Sequence, residues 1–207
     1  MDHFRLTNKR VDLDSSAKFS DALKNNIAQI SSDPEKIDSP KKALDYLLKM
    51  SHATFSEWGY HVPIMHLFND QWEVVEILST EFKDQADKYF FWRSIGEKVE
   101  NLNISAIAWI CEAWHRSANA FPMTPTRSLP ITGESLRVVV IHRDGSYLED
   151  GWVIKRDPAG GTPILEGLPS STLFDTNNIP NYLAPVCRAM GGALEEKFND
   201  SLHRRST

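Results

Sequence analysis

Phe19, Leu23, Ile27 and Ile30 recur at the spacing of one helical face, with Ser15 or Ser16 placed to cap the helix they predict. Ser39-Pro40 opens a second helix. Serine caps it, and proline suits the first turn because its missing N–H has no partner there anyway. Ala43, Leu44, Leu47 and Leu48 form its buried stripe, and Gly59 is the expected stop. The period then shortens to two. His61 to Phe68 and Trp72 to Leu78 read as a hairpin turned by Asn69-Asp70-Gln71. From Thr80 to Glu100 the helical period returns. Tyr89-Phe90-Phe91-Trp92 is too aromatic for one narrow face, so this helix needs cover on more than one side.

Ile104 to Cys111 is apolar on both faces, as in a central strand covered on both sides. A Pro-, Ser- and Thr-rich segment, 117–133, reads as a long loop. Leu136 to His142 and Gly151 to Arg156 are the next strands, joined through Asp144-Gly145. Thr162 to Glu166 reads as a short edge strand, where Pro163 is tolerated. A last helix starts near Ala184, with Val186, Met190, Leu194 and Phe198 inward and a kink or close contact expected at Gly191-Gly192. Short links favour antiparallel pairing, and the alternation of a doubly wound parallel sheet is missing. The expected class is α+β: a mostly antiparallel sheet of five or six strands, helices on one face and an N-terminal helical pair. Residues 1–58 form the arm and helical pair. Residues 59–207 form the α+β domain, in one compact unit with those helices.

The 207 residues, 41% hydrophobic, exclude a disordered or collagen-like chain. A chain of this size needs no metal or disulfide to hold it together. Cys111 and Cys187 show no metal-ligand spacing and are expected to be free thiols of a reducing, cytoplasmic compartment. The net charge is −5, and residues 57–112 hold ten acids against four bases. Nucleic-acid binding asks for a basic stripe, and none is visible. No apolar run reaches about 18 residues, so no membrane span is expected.

Phosphate-loop, dinucleotide, zinc-protease and hydrolase-elbow motifs are absent, and no cofactor or metal site is expected. The polar residues worth weighing lie on or beside strands: His66, Glu76, Glu112, His115, Glu134, Arg137, His142 and Arg143. Glu112 continues an apolar strand, so its carboxylate needs a partner or an altered pKa. A structural acid held by hydrogen bonds or by Arg137 or Arg143 is the leading expectation; a general base is the alternative. His142 shares a strand face with Leu136, Val138 and Val140. Together with Glu112 it is the candidate catalytic pair, and with His66 added it would form a possible metal trio. Trp114 and Trp152, near strand ends, are core residues or the lining of a cleft or interface.

Ala108 to Trp114, the segment Ser128 to Glu134 and the strand after it resemble a group of uncharacterised small bacterial and phage proteins. In that group an apolar strand ends in Glu-Ala-Trp, ahead of a Ser/Pro loop and an acid. Where the group has an arginine before that acid, this chain has Gly133. The resemblance implies a prokaryotic or phage α+β domain and transfers no activity. The sequence points to a soluble, cytoplasmic binding or interaction module without catalysis, self-associating and without nucleic acid or membrane as partner. The alternative is a small hydrolase-like enzyme using a Glu/His cluster on the sheet.

Overall fold

Helix α1 (Pro40–Trp58) begins and ends where its sequence says it should. Ser39 is extended (φ −157°, ψ 157°), and its hydroxyl accepts the backbone N–H of Lys42. At the other end Gly59 takes φ 72°, and its N–H reaches Phe55 O at 2.7 Å. That left-handed position strains any residue with a Cβ, which is why glycine stops the helix. Ala43, Leu44, Leu47, Ser51 and Phe55 are its buried stripe.

The computed structural model describes residues 37–80, 82, 85–116, 129–157, 159–167 and 179–205. The expected first helix and the arm before it lie outside these residues, as does most of the expected loop 117–133. The strands are β1 (Ile64–Phe68), β2 (Val74–Ser79), β3 (Ala106–Arg116), β4 (Ile131–His142), β5 (Tyr147–Lys155) and β6 (Ile164–Gly167). Helix α2 (Gln85–Asn101) joins β2 to β3. A 3-10 turn, Asn181–Leu183, leads into α3 (Ala184–Met190) and α4 (Gly192–Arg205). The sheet runs in the order β2-β1-β3-β4-β5-β6, and every neighbouring pair is antiparallel. The chain is therefore α+β, as its pattern predicts.

Both faces of the sheet are covered: the later helices share one face, as expected, and α1, of the expected N-terminal pair, covers the other. Ala106, Ala108 and Ile110 of β3, with Leu136, Val138 and Val140 of β4, pack under α1. Ile107, Val139 and Ile141 point the other way, against Trp92, Ile95 and Val99 of α2, Val186 and Cys187 of α3, and Leu194 and Phe198 of α4. Strands apolar on both faces need both faces covered, because each side chain of this size contributes about 1.5–3 kcal/mol when buried.

Several boundaries also move. β3 continues to Arg116 and β4 starts at Ile131, so pairing reaches into the expected loop. α2 starts at Gln85 rather than near Thr80, whose Oγ1 instead accepts the Trp109 indole N–H at 2.9 Å. The expected last helix breaks in two at Gly191 (φ 64°, ψ −162°), a conformation essentially reserved for glycine.

Candidate functional site

The expected catalytic pair is not assembled. His142 sits opposite Ala106, and Glu112 is six residues further along the same strand. At strand rise that is about 20 Å. His66 lies opposite Ala108 on β1, away from both ends, so no trio forms. Among the described residues no three His, Cys, Asp or Glu side chains are placed to hold one metal ion.

Most of the candidates are held by local partners. Glu112 Oε1 accepts the backbone N–H of His61 at 2.7 Å, and its Oε2 accepts from Arg156 Nη2 at 3.2 Å. Arg156 also donates through Nε to Glu134 Oε2 at 2.6 Å. The arginine at Glu112 is therefore Arg156, not Arg137 or Arg143. Arg143 instead binds Ile104 O at 3.1 Å and reaches Asp70 at 3.3 Å, tying two turns together. Glu76 pairs with Lys98 at 2.8 Å. The His142 ring stacks on Trp72 at 5.1 Å, and its Nδ1 lies 3.0 Å from Asp144. His66 stacks on Phe68, and its Nδ1 is buried with no partner. Burial, followed by repulsion from His61, pushes its pKa down to about 4. Trp152 packs beneath α1 and meets His52 edge-on at 5.4 Å, whereas Trp114 is 64% exposed.

On the α2 face, three strands build a polar network. Arg137 of β4 donates through Nη1 to Glu149 of β5 at 2.9 Å and through Nε to Ser135 Oγ at 2.7 Å. Tyr147 OH donates to the other Glu149 oxygen at 3.0 Å. Both charged side chains of the pair are over 90% buried, which makes their mutual geometry essential. Burial raises the Glu149 pKa, and Arg137 and the Tyr147 hydroxyl oppose that rise. His115 Nε2 stands 2.9 Å from Ser135 Oγ and 3.2 Å from Arg137 Nη2. A guanidinium has no lone pair to offer, so Nε2 accepts there. Burial, then the Arg137 charge, lowers the His115 pKa. Cys111 faces the same network, and burial pushes its thiol up to about 12, which makes it a poor nucleophile.

Beside the network, α2 and α3 frame a pocket of about 560 Å³. Its walls are Lys88, Tyr89, Trp92 and Arg93 of α2, Asn181 and Tyr182 of the 3-10 turn, and Ala184, Pro185 and Arg188 of α3. Lys88 Nζ lies 4.1 Å over the Tyr182 ring, and Trp92 and Tyr182 meet at 5.2 Å. Gly96 sets the spacing of the two helices. A Cβ there would come within 3.0 Å of Pro185 O. The two turns of α2 that precede this contact carry the pocket's side chains.

A family model described as bacteriophage lambda protein ea47 matches residues 2–201. The chain belongs to that family. Protein ea47 of Escherichia phage lambda is 31% identical over 166 residues, which make up 80% of this chain and 40% of that protein. The ea47-family chain described here thus spans about two fifths of that relative's length. No solved structure matches it. The expected kinship with phage proteins holds at the level of the family.

Sequence reasoning overlooked the parts of this ea47-family chain that converge best. Tyr147 and Glu149 lie ahead of the strand expected from Gly151 to Arg156 and belong to β5. Their meeting with Arg137 depends on the β4–β5 register. No motif singles out Lys88 or Arg93. The one signal available was Tyr89 to Trp92, where aromatics exceed what a single core face absorbs.

Proposed function

We propose that this ea47-family chain is a non-catalytic binding module whose ligand seat is the pocket between α2 and α3. One observation carries the reading. Lys88, Arg93 and Arg188 converge there with Trp92 and Tyr182, and among the described residues none of the three cations forms an ion pair. Arg93 donates to the Tyr89 hydroxyl at 3.3 Å, whereas most strand-borne acids and bases are paired with charged neighbours. A cavity of this volume, aromatic with a few polar groups, suits a small molecule.

The hydrolase reading has one observation on its side, the 2.9 Å approach of Ser135 Oγ to His115 Nε2. Ser135 is fully buried, however, and the Arg137 guanidinium occupies both partners. A base whose lone pair is engaged by a cation activates a hydroxyl poorly.

A fragment library screened by ligand-observed NMR tests the binding reading. Ala184→Trp fills the pocket from its α3 wall. Fragments that bind the parent and are lost in Ala184→Trp are the expected result. Fragments that bind both proteins alike, or none at millimolar concentration, remove it.

A cytoplasmic place, self-association and absence of nucleic-acid binding belong to the same reading. Both thiols are free and buried, which suits a reducing compartment. Both sheet edges carry exposed apolar side chains, Val74 and Val75 on β2 and Ile164 on β6, and a second copy could cover them. The net charge of −5 opposes phosphate backbones at large. Among the described residues no helix is long and apolar enough to cross a membrane. The Glu-Ala-Trp strand end as a mark of the wider group is likewise part of this reading.

A further inference from the structure

Resting on the binding reading, we infer that the pocket takes a small planar aromatic molecule carrying a phosphate, the chemical class of a nucleoside monophosphate. Charge gives the first half of the argument. Of the nine described residues that line the pocket three are cations and none is an acid. That is a local reversal in a chain of net charge −5, and it falls within the stretch where acids outnumber bases ten to four. Of the four bases in that stretch, Lys98 is taken by Glu76, while Lys88 and Arg93 line the pocket.

Lys88 is the sharpest case. Burial lowers its pKa, its ammonium rests on the Tyr182 ring, and no carboxylate among the described residues neutralises it. A half-buried ammonium without a counter-ion is a standing cost, and an entering anion relieves it. Arg93 and Arg188 come from facing helices, and guanidiniums present forked donors that match a phosphate's oxygens.

Shape gives the second half. The buried Trp92 backs the wall at 5.2 Å from Tyr182, and Tyr89, 58% exposed, gives the wall its accessible aromatic surface. A planar ring gains by stacking on such a wall, whereas a bare phosphate leaves it uncovered. The volume, about 560 Å³, admits a nucleotide-sized molecule and no folded chain.

Isothermal titration of the intact chain with AMP, adenosine and inorganic phosphate tests this, at low and at moderate salt. AMP is expected to bind at least about tenfold tighter than either fragment, and more weakly as salt rises. Lys88→Gln and Arg188→Gln should each weaken AMP about fivefold or more and leave adenosine unchanged, with Lys88→Arg restoring most of the loss. Unfolding midpoints taken alongside show that the variants are folded; if one is not, the other and the salt dependence decide. Adenosine binding as tightly as AMP overturns the anionic half and leaves the pocket reading standing. Phosphate binding as tightly as AMP overturns the aromatic half. No heat from any of the three overturns the inference alone if pocket-dependent fragments still bind, and together with the binding reading if they do not.

Discussion

Glu112 shows how far a single residue can be read from its neighbours in the chain. A carboxylate at the end of an apolar strand had to be held by something, and an arginine was the natural holder. Which arginine depends on β6-side geometry far along the chain: Arg156 is 44 positions away and arrives through the β3–β4–β5 pairings. Glu112→Gln keeps an oxygen for the His61 N–H and gives up the charge that Arg156 shares with Glu134. Chemical denaturation should show a loss of about 1–2 kcal/mol. A midpoint unchanged or raised would mean that the contacts contribute nothing. His66 makes the second residue-scale prediction. Its folded pKa, about 4, lies below the ordinary 6.5, so the unfolded chain takes up the proton first. Stability is then full above about pH 6.5 and falls as pH drops towards 4, by up to about 3 kcal/mol at 1.36 kcal/mol per pH unit. His61, lowered in the same direction by burial, adds to the slope. Urea unfolding at pH 7.5, 5.5 and 4.5 should show that slope, reduced in His66→Phe. An equal slope in the variant would place the acid sensitivity elsewhere.

Among the elements, α1 was legible from end to end because its signals are local: cap, first-turn proline and terminal glycine lie within 21 residues, although the buried stripe runs on to Ser51 and Phe55 and leaves Leu48 half-buried. β3 and β4 were legible only where they are apolar. Their outer ends are polar, and pairing with each other extends them without any apolar pattern to announce it. The same blindness applies to Gly151, which reads as a strand boundary and sits inside β5 opposite Arg137. A Cβ there would fall 2.0 Å from Leu136 O and 3.0 Å from Arg137 Cα, both backbone atoms that cannot step aside. Gly151→Ala must therefore part β4 from β5 at the strand that carries the network. We expect a loss of about 3 kcal/mol or more, read by thermal unfolding. A midpoint within a degree of the parent would mean that the strands yield locally at no cost.

For the whole molecule, class and strand number followed from periodicity, whereas the candidate site did not. The pocket depends on α2 and α3 meeting at Gly96 and Pro185, residues 89 positions apart, and no local pattern encodes such a meeting. Self-association is the prediction at this scale. Light scattering over a hundredfold range of concentration should show a mass above the monomer's 23.5 kDa. Monomer mass throughout would remove the second copy from the edges. One buried contact also bears on how the chain finds its shape. Because Arg137 and Glu149 meet diagonally across β4 and β5, sliding one strand by a single residue turns one of them to the opposite face. The misaligned hairpin then leaves a lone charge in an oily layer, at several kcal/mol. The pair thus works as a proofreader of assembly. It rejects the nearest wrong alignment of the two strands, together with the close backbone approach at Gly151.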